Sequence, residues 1–222
     1  MKTDARIRKD VLDQLSWEQN VDDRQIGVSV EDGVVTLSGV VNNYTSKMAA
    51  EKAAKKVIGV KAVAEDIEVK YGDAFKKTDK EIAKAAVDAL EWNISVPDNK
   101  IMVKVEDGWV YLTGEVKWDF QRNAAKKAVD NLLGVRYVSN NITLKQKVKA
   151  TDIKSKITKA FKRAAALDAK HISVEVDEHT VTLKGTVSSL SEKDEARKTA
   201  YALPGVYHVI NKLKVEYYPS YA

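Results

Sequence analysis

The chain has 222 residues, a formal net charge of +5, 31% charged side chains and no cysteine. The missing cysteine excludes a disulfide framework, a thiolate metal site and a cysteine nucleophile. No run of 18 apolar residues occurs, so no segment suits a membrane-spanning helix.

The opening residues, Met1 to Arg8, move straight into a charged helical pattern without an apolar h-region. The expectation is either a protein that acts in the cytoplasm where it is made, or one whose export signal was removed. Ile7, Val11, Leu12 and Leu15 follow at helical spacing, with Thr3-Asp4 offering an N-cap. Strands are predicted at Ile26 to Glu31 and Val34 to Val40, joined by Asp32-Gly33. Asp-Gly between alternating runs is a strong hairpin signal, because a type I′ turn needs φ > 0 at both central residues. A helix is predicted from Ser46 to Val57. Gly59 suits the left-handed position that ends a helix, and a last strand runs from Val60 to Val69.

The same order returns at an offset of 75 residues. The hairpin V-E-D-G-V-V-T-L-S-G of Val30 to Gly39 becomes V-E-D-G-W-V-Y-L-T-G at Val105 to Gly114. Thr78-Asp79-Lys80-Glu81 reads as a capping box. Ile82, Ala86 and Leu90 take the core places of Ile7, Val11 and Leu15, and Trp92 stands where Trp17 stood. Strands are expected at Ile101 to Glu106, Trp109 to Val116 and Val135 to Leu144. A helix from Asp119 to Leu132 lies before the last.

A further offset of 71 brings a third copy, V-D-E-H-T-V-T-L-K-G at Val176 to Gly185. Ile153, Ile157 and Phe161 are its first core stripe. Strands are expected at Ile172 to Asp177, Thr180 to Val187 and Val206 to Val215, with a helix from Ser191 to Ala202. Here His179 stands in the turn position that Gly holds elsewhere. Histidine tolerates φ > 0 less well, which predicts a looser hairpin.

Each copy places Gly-Val twenty residues after the closing Gly: Gly59-Val60, Gly134-Val135 and Gly205-Val206. The chain is therefore a tandem array, with repeats over 1–72, 73–147 and 148–222. Helix, strand, strand, helix, strand makes each an α+β unit: a small mixed three-stranded sheet with two helices on one face. Gly33, Gly39, Gly59, Gly108, Gly114, Gly134, Gly185 and Gly205 are assigned to backbone geometry. Linkers at Tyr71 to Lys77 and Lys145 to Ala150 are short, which suggests packing or restricted angles between repeats.

The V-x-D-G-x-V-x-L-x-G hairpin, the step to Gly-Val, and the close V-x-x-V-x-x-x-I/L-x-V/L together resemble the BON (bacterial OsmY and nodulation) domain. The close is carried by Val60, Val63, Ile67 and Val69, by Val135, Val138, Ile142 and Leu144, and by Val206, Val209, Leu213 and Val215. The resemblance covers nearly the whole chain, giving a triple-BON, OsmY-like arrangement. It implies a non-enzymatic envelope or osmotic-stress module that binds phospholipid or acts in a chaperone-like way, without a cofactor. It also implies a periplasmic location if an export signal was removed. Members commonly carry two copies, and some carry a lipoprotein cysteine that this chain lacks.

The residues themselves offer little catalysis. His171 and His179 stand at opposite ends of one strand, about 25 Å apart at 3.3 Å per residue, too far to share a metal. His208 can approach only one of them. Glu65 and Asp66 are strand neighbours and point to opposite faces. Asp22 and Asp23 read as solvated turn residues. There is no G-x-S-x-G and no phosphate-binding G-x-x-x-x-G-K-[ST]. A nucleic-acid reading lacks the G-x-x-G loop of KH modules. Only Trp109, Tyr111 and Tyr137 could imitate the stacking surface of an RRM.

Charge is uneven: 11 basic against 12 acidic side chains in 1–72, 13 against 11 in 73–147, and 13 against 9 in 148–222. On the first helix of the third repeat, Lys149, Lys156, Lys159 and Arg163 fall on one side of the wheel if the helix reaches back to Lys149. They are the candidate contacts for an anionic phospholipid surface. The candidate aromatic contacts are Trp17 and Trp92, off the core stripe, and Trp118 and Phe120, between a strand and its helix. These would meet a client or envelope protein, or pack between repeats. Two functional classes follow: a lipid-surface module and a protein-interaction or chaperone-like module.

Overall fold

The computed structural model describes residues 2–72, 76–144, 153–163, 171–203 and 205–216, leaving aside the side chains at 154 and 162. The predicted linker from Lys145 to Ala150 lies outside them. The first repeat contains α1 (Asp4–Ser16), β1 (Ile26–Glu31), β2 (Val34–Val41), α2 (Tyr44–Lys56) and β3 (Ala62–Val69). The second contains α3 (Asp79–Glu91), β4 (Ile101–Glu106), β5 (Trp109–Val116), α4 (Asp119–Asp130) and β6 (Tyr137–Leu144). The third contains α5 (Ile153–Arg163), β7 (Ile172–Asp177), β8 (Thr180–Val187), α6 (Leu190–Tyr201) and β9 (His208–Val215).

Among the described residues there are three separate three-stranded sheets, each with its second strand in the centre. The hairpins pair antiparallel, with Glu31 opposite Val34, Glu106 opposite Trp109, and Asp177 opposite Thr180. The closing strands β6 and β9 pair parallel to β5 and β8. These are three αββαβ units of mixed sheet. By backbone contact the described residues of Met1–Gly39, Ala49–Ile67 and Lys147–Ala222 form one compact unit. Those of Val40–Met48 and Glu68–Gln146 form another.

Alternation along the strands decides which face is covered. In the second repeat Val110, Leu112 and Val116 of β5 share one buried cluster with Ile82, Ala86 and Leu90 of α3 and Ala125 and Val129 of α4. Both helices therefore pack on the same side of the sheet. In the third repeat, Val181, Leu183 and Val187 pack with Ile153, Ile157, Phe161, Ala196 and Ala200. Each fully buried Leu, Ile or Phe contributes roughly 1.5–3 kcal/mol.

Several element ends differ from the sequence reading for a shared reason. The Gly-Val step belongs to the turn after a helix, not to the strand. The amides of Val60, Val135 and Val206 bond back to the carbonyls of Val57, Leu132 and Leu203. Strands β3, β6 and β9 consequently start two residues later than predicted. Helix α2 starts at Tyr44 instead of Ser46, because the Asn43 side chain accepts the Ser46 amide at 2.7 Å.

The two Asp-Gly hairpin turns take the expected conformation, and the third departs from it. Asp32 and Gly33 both have positive φ (51° and 79°), as do Asp107 and Gly108 (51° and 76°). A carboxylate from the start of the preceding helix grips each turn. Asp4 accepts the amides of Asp32 and Gly33 at 2.9 Å, and Asp79 accepts those of Asp107 and Gly108 at 2.8 and 2.9 Å. In the third hairpin Glu178 takes the left-handed position at φ 48°, and His179 is not left-handed. The premise of the predicted looseness, a left-handed His179, does not hold at this turn. The His179 Nδ1 lies 2.8 Å from the Gly205 carbonyl, and its ring packs on Tyr207 with centroids 4.5 Å apart. A Cβ at Gly108 would meet the equivalent Gly134 carbonyl at 2.9 Å. His179 thus directs its ring to the Gly205 carbonyl, the third repeat's counterpart of the Gly134 carbonyl that crowds the turn in the second.

Candidate functional site

Helix α5 reads I-K-S-K-I-T-K-A-F-K-R and contains no acidic residue. Ile153, Ile157 and Phe161 recur every fourth position and are all buried. Burying that stripe fixes the helix rotation. Lys156, Lys159 and Arg163 consequently project from the solvent side, and all three are exposed. None of the three forms an ion pair with another described residue. Helix α1 treats its cations differently: Arg6 pairs with Asp10, which also holds Lys2 from before the helix, and Lys9 pairs with Asp13. Lys149, the fourth predicted cation, lies outside the described residues.

Trp17 and Trp92 are the C-caps of α1 and α3. They are 83% and 84% exposed, in equivalent positions of two repeats. Trp118 is the N-cap of α4, and its backbone amide is held by the Gln121 side chain at 3.1 Å. Asp119, next in sequence, is buried, and its carboxylate engages Arg122 and Asn123. The chain is thus pinned on both sides of an outward-facing pair, with Trp118 40% and Phe120 58% exposed. The α5 cations and these aromatics lie on different elements of different repeats.

The polar clusters have structural explanations. A cavity of about 670 Å³ is lined by Tyr71, Lys77, Thr78, Asp79, Gly108 and Arg136, among others. Its Asp79 is occupied by the hairpin amides. Burial pushes the Tyr71 hydroxyl above its ordinary pKa, and that hydroxyl donates to the Val135 carbonyl at 2.7 Å. Glu81 is held at about 2 by the backbone amide and hydroxyl of Thr78 and by Lys77. This is the reciprocal capping box at the start of α3. Burial raises Asp130 despite its partner Lys126. Among the described residues no group of three His, Asp or Glu side chains could hold a metal ion. The eight framework glycines all have positive φ.

Two features escaped the sequence reading. Asn140 and Asn211 occupy inward-facing strand positions, where apolar residues would be expected. Their side-chain amides donate to the helix carbonyls of Arg122 and Lys193, each at 2.8 Å, tying the last strand to α4 and α6. Tyr44 is buried within the core of the second repeat. The polar tip of a tyrosine hides that role from a hydrophobicity pattern.

The sequence matches the BON domain family three times, over residues 3–71, 78–146 and 149–217. It is 29% identical over 151 residues to osmotically-inducible protein Y of Escherichia coli strain K12, covering 64% of this chain and 73% of that protein. Among solved structures, CdsD, a structural protein of the type III secretion system of Chlamydia trachomatis, aligns at 13% identity. That alignment covers 94% of this chain and 91% of that one, with a TM-score of 0.26. A structure of the CdsD C-terminal domain aligns at 13% identity with a TM-score of 0.25, covering 94% and 96%. Neither superposition is close enough to carry an argument. The triple family match extends over most of the chain, and the three αββαβ units agree with it: this chain is a member of the BON domain family.

Proposed function

We propose that the chain is a non-enzymatic module that attaches to anionic phospholipid surfaces through helix α5. The observation that carries this reading is the exposed cation set Lys156, Lys159 and Arg163, on a helix without acidic residues and without ion pairs to described residues. Each basic side chain near an anionic membrane contributes about 1 kcal/mol, fading within a Debye length of about 8–10 Å. Three such residues give weak, salt-sensitive attachment. No helix among the described residues is long and apolar enough to cross a membrane, so the attachment is peripheral.

Co-sedimentation with vesicles, with and without anionic lipid and at two salt concentrations, tests it. Replacing Lys156, Lys159 and Arg163 together with Gln is expected to weaken anionic-vesicle binding tenfold or more, on the order of 2–3 kcal/mol. Unchanged binding in that variant would remove α5 from the reading.

A second reading, a protein-interaction or chaperone-like module for client or envelope proteins, draws on the exposed rings of Trp17, Trp92, Trp118 and Phe120. Exposed aromatic surface of this kind suits partner recognition. Loss of unfolded-protein capture on Trp118→Ala with Phe120→Ala, with vesicle binding intact, would favour it over the lipid reading.

A further inference from the structure

The outer face of the second repeat's sheet differs in kind from those of the other two. Side chains alternate across a strand, so the residues pointing away from α3 and α4 follow from the register. Trp109 and Tyr111 of β5 point outward, and Tyr137 of β6 lies directly opposite Trp109. The Trp109 and Tyr137 rings pack with centroids 4.6 Å apart at 44°. Behind them the buried Tyr44 meets Tyr137 edge-on, at 6.1 Å and 75°. On the other side Lys104 faces Tyr111 across the ladder, with its ammonium 5.7 Å from the ring. The rings are held in place, yet Trp109 is 44% and Tyr137 37% exposed.

The fold does not require them. At the positions of Trp109, Tyr111 and Tyr137 the first repeat carries Val34, Thr36 and Ala62, and the third carries Thr180, Thr182 and His208. The aromatic face belongs to one repeat only.

Its chemistry narrows the occupant. A polyanion needs several unpaired cations. The cation set against these rings, Lys104, is ion-paired to Glu106 at 2.9 Å. A bilayer needs a continuous apolar patch, because polar groups buried without partners are costly. Beside the rings, on the same face, one exposed apolar side chain, Met102, stands among Thr113, Ser139 and Asn141 and the mutually neutralised pair Lys104–Glu106. Asn141 Nδ2 donates to Ser139 Oγ at 3.1 Å. That leaves Asn141 Oδ1 to accept and the Ser139 hydroxyl to donate. Ordered aromatic faces beside neutral donors and acceptors fit a ligand with apolar C–H faces and hydroxyl edges.

We propose that this sheet face binds a neutral oligosaccharide, with sugar rings stacked on Trp109, Tyr137 and Tyr111 and sugar hydroxyls on Thr113, Ser139 and Asn141. The strand spacing supports an elongated ligand. Trp109 to Thr113 spans about 13 Å at 3.3 Å per residue, longer than one sugar ring.

The test is titration of the full chain with linear tetrasaccharides of glucose and of N-acetylglucosamine, followed by amide and indole NMR shifts. At least one sugar is expected to shift the Trp109 indole and the amides of Tyr111, Tyr137 and Asn141 together. Trp109→Thr, which installs the residue the third repeat carries at this position, preserves strand propensity and is expected to weaken binding at least tenfold. Trp92→Ala, which removes an equally prominent tryptophan elsewhere, is expected to leave binding unchanged. The proposal is overturned if neither sugar produces shifts at millimolar concentration, or if shifts persist in Trp109→Thr. It is also overturned if this face proves to hold a single-stranded oligonucleotide that the sugars do not displace. A dimer that Trp109→Thr dissociates would assign the face to self-association instead.

Discussion

Tyr44→Ala tests how the second repeat's core is closed. Tyr44 is only 2% exposed and sits in one cluster with Val110, Val138 and Ile142. Its ring meets Tyr137 edge-on, and the Lys126 ammonium lies 5.4 Å from its centroid. Removing a buried aromatic ring from a core costs about 3–5 kcal/mol, part of it for the cavity left behind. The edge-to-face contact adds roughly 0.5–1.5 kcal/mol. For a domain of this size each kcal/mol lowers Tm by about 4–8 °C, so the affected transition is expected to fall by at least about 12 °C in differential scanning calorimetry. Tyr44→Phe keeps the ring and is expected to lose less than half as much. A shift below about 2 °C in Tyr44→Ala, or about 0.5 kcal/mol on the same scale, would refute the claim that this ring completes the core. The same variant is expected to broaden the NMR signals of Tyr137 and the Trp109 indole, because Tyr44 props the first and the first props the second.

Asp79→Asn is expected to destabilise the second repeat by about 1–3 kcal/mol in urea unfolding, because a charge-assisted clamp on two hairpin amides becomes a neutral one; Asp4→Asn should act likewise in the first. His179→Ala is expected to cost about 1–3 kcal/mol through the lost ring contact and hydrogen bond to Gly205, read by the same assay. Glu81 titrates at about 2 against an ordinary 4.5, so its stabilisation is fully present above pH 4.5 and is lost as pH falls toward 2. The Tm gap between the native chain and Glu81→Gln is therefore expected to shrink steadily from pH 5 to pH 3, and a gap that stays constant would contradict the capping-box account.

The order of elements was legible because local chemistry specifies it. Asp-Gly turns, alternating strands and the Gly-Val step each constrain only a few residues, and their repetition fixes the topology. The α5 cation face was legible for the same reason, since Ile153, Ile157 and Phe161 set the rotation of the helix wherever it docks. Long-range polar roles were not legible. Asp4 and Asp79 read only as parts of helix-start signals, while the structure uses them on turns 28 and 29 residues away. The helix cap itself is made by Thr3 and Thr78. Asn140 and Asn211 interrupt an apolar pattern with polar side chains, and each satisfies a helix carbonyl from within. Such contacts depend on two segments meeting, and no window of sequence contains both.

A repeat that preserves its fold while changing its surface separates two kinds of constraint. Positions facing the helices stay apolar in all three copies: Val35, Val110 and Val181, and Leu37, Leu112 and Leu183, are each buried. Their outward neighbours on the same strands are free of that demand, because in a strand the two faces are decoupled by the pleat. The second repeat uses that freedom for Trp109 and Tyr111. The third uses the solvent side of α5 for Lys156, Lys159 and Arg163, a side where α1 sets cations against acids. The α5 cations form no ion pair with a described residue, and under the two proposals above each surface meets a partner outside the chain. The two surfaces differ in chemistry, one neutral and aromatic, the other cationic. Salt discriminates between them: raising ionic strength should release anionic vesicles from the third repeat while leaving any ligand of the second in place.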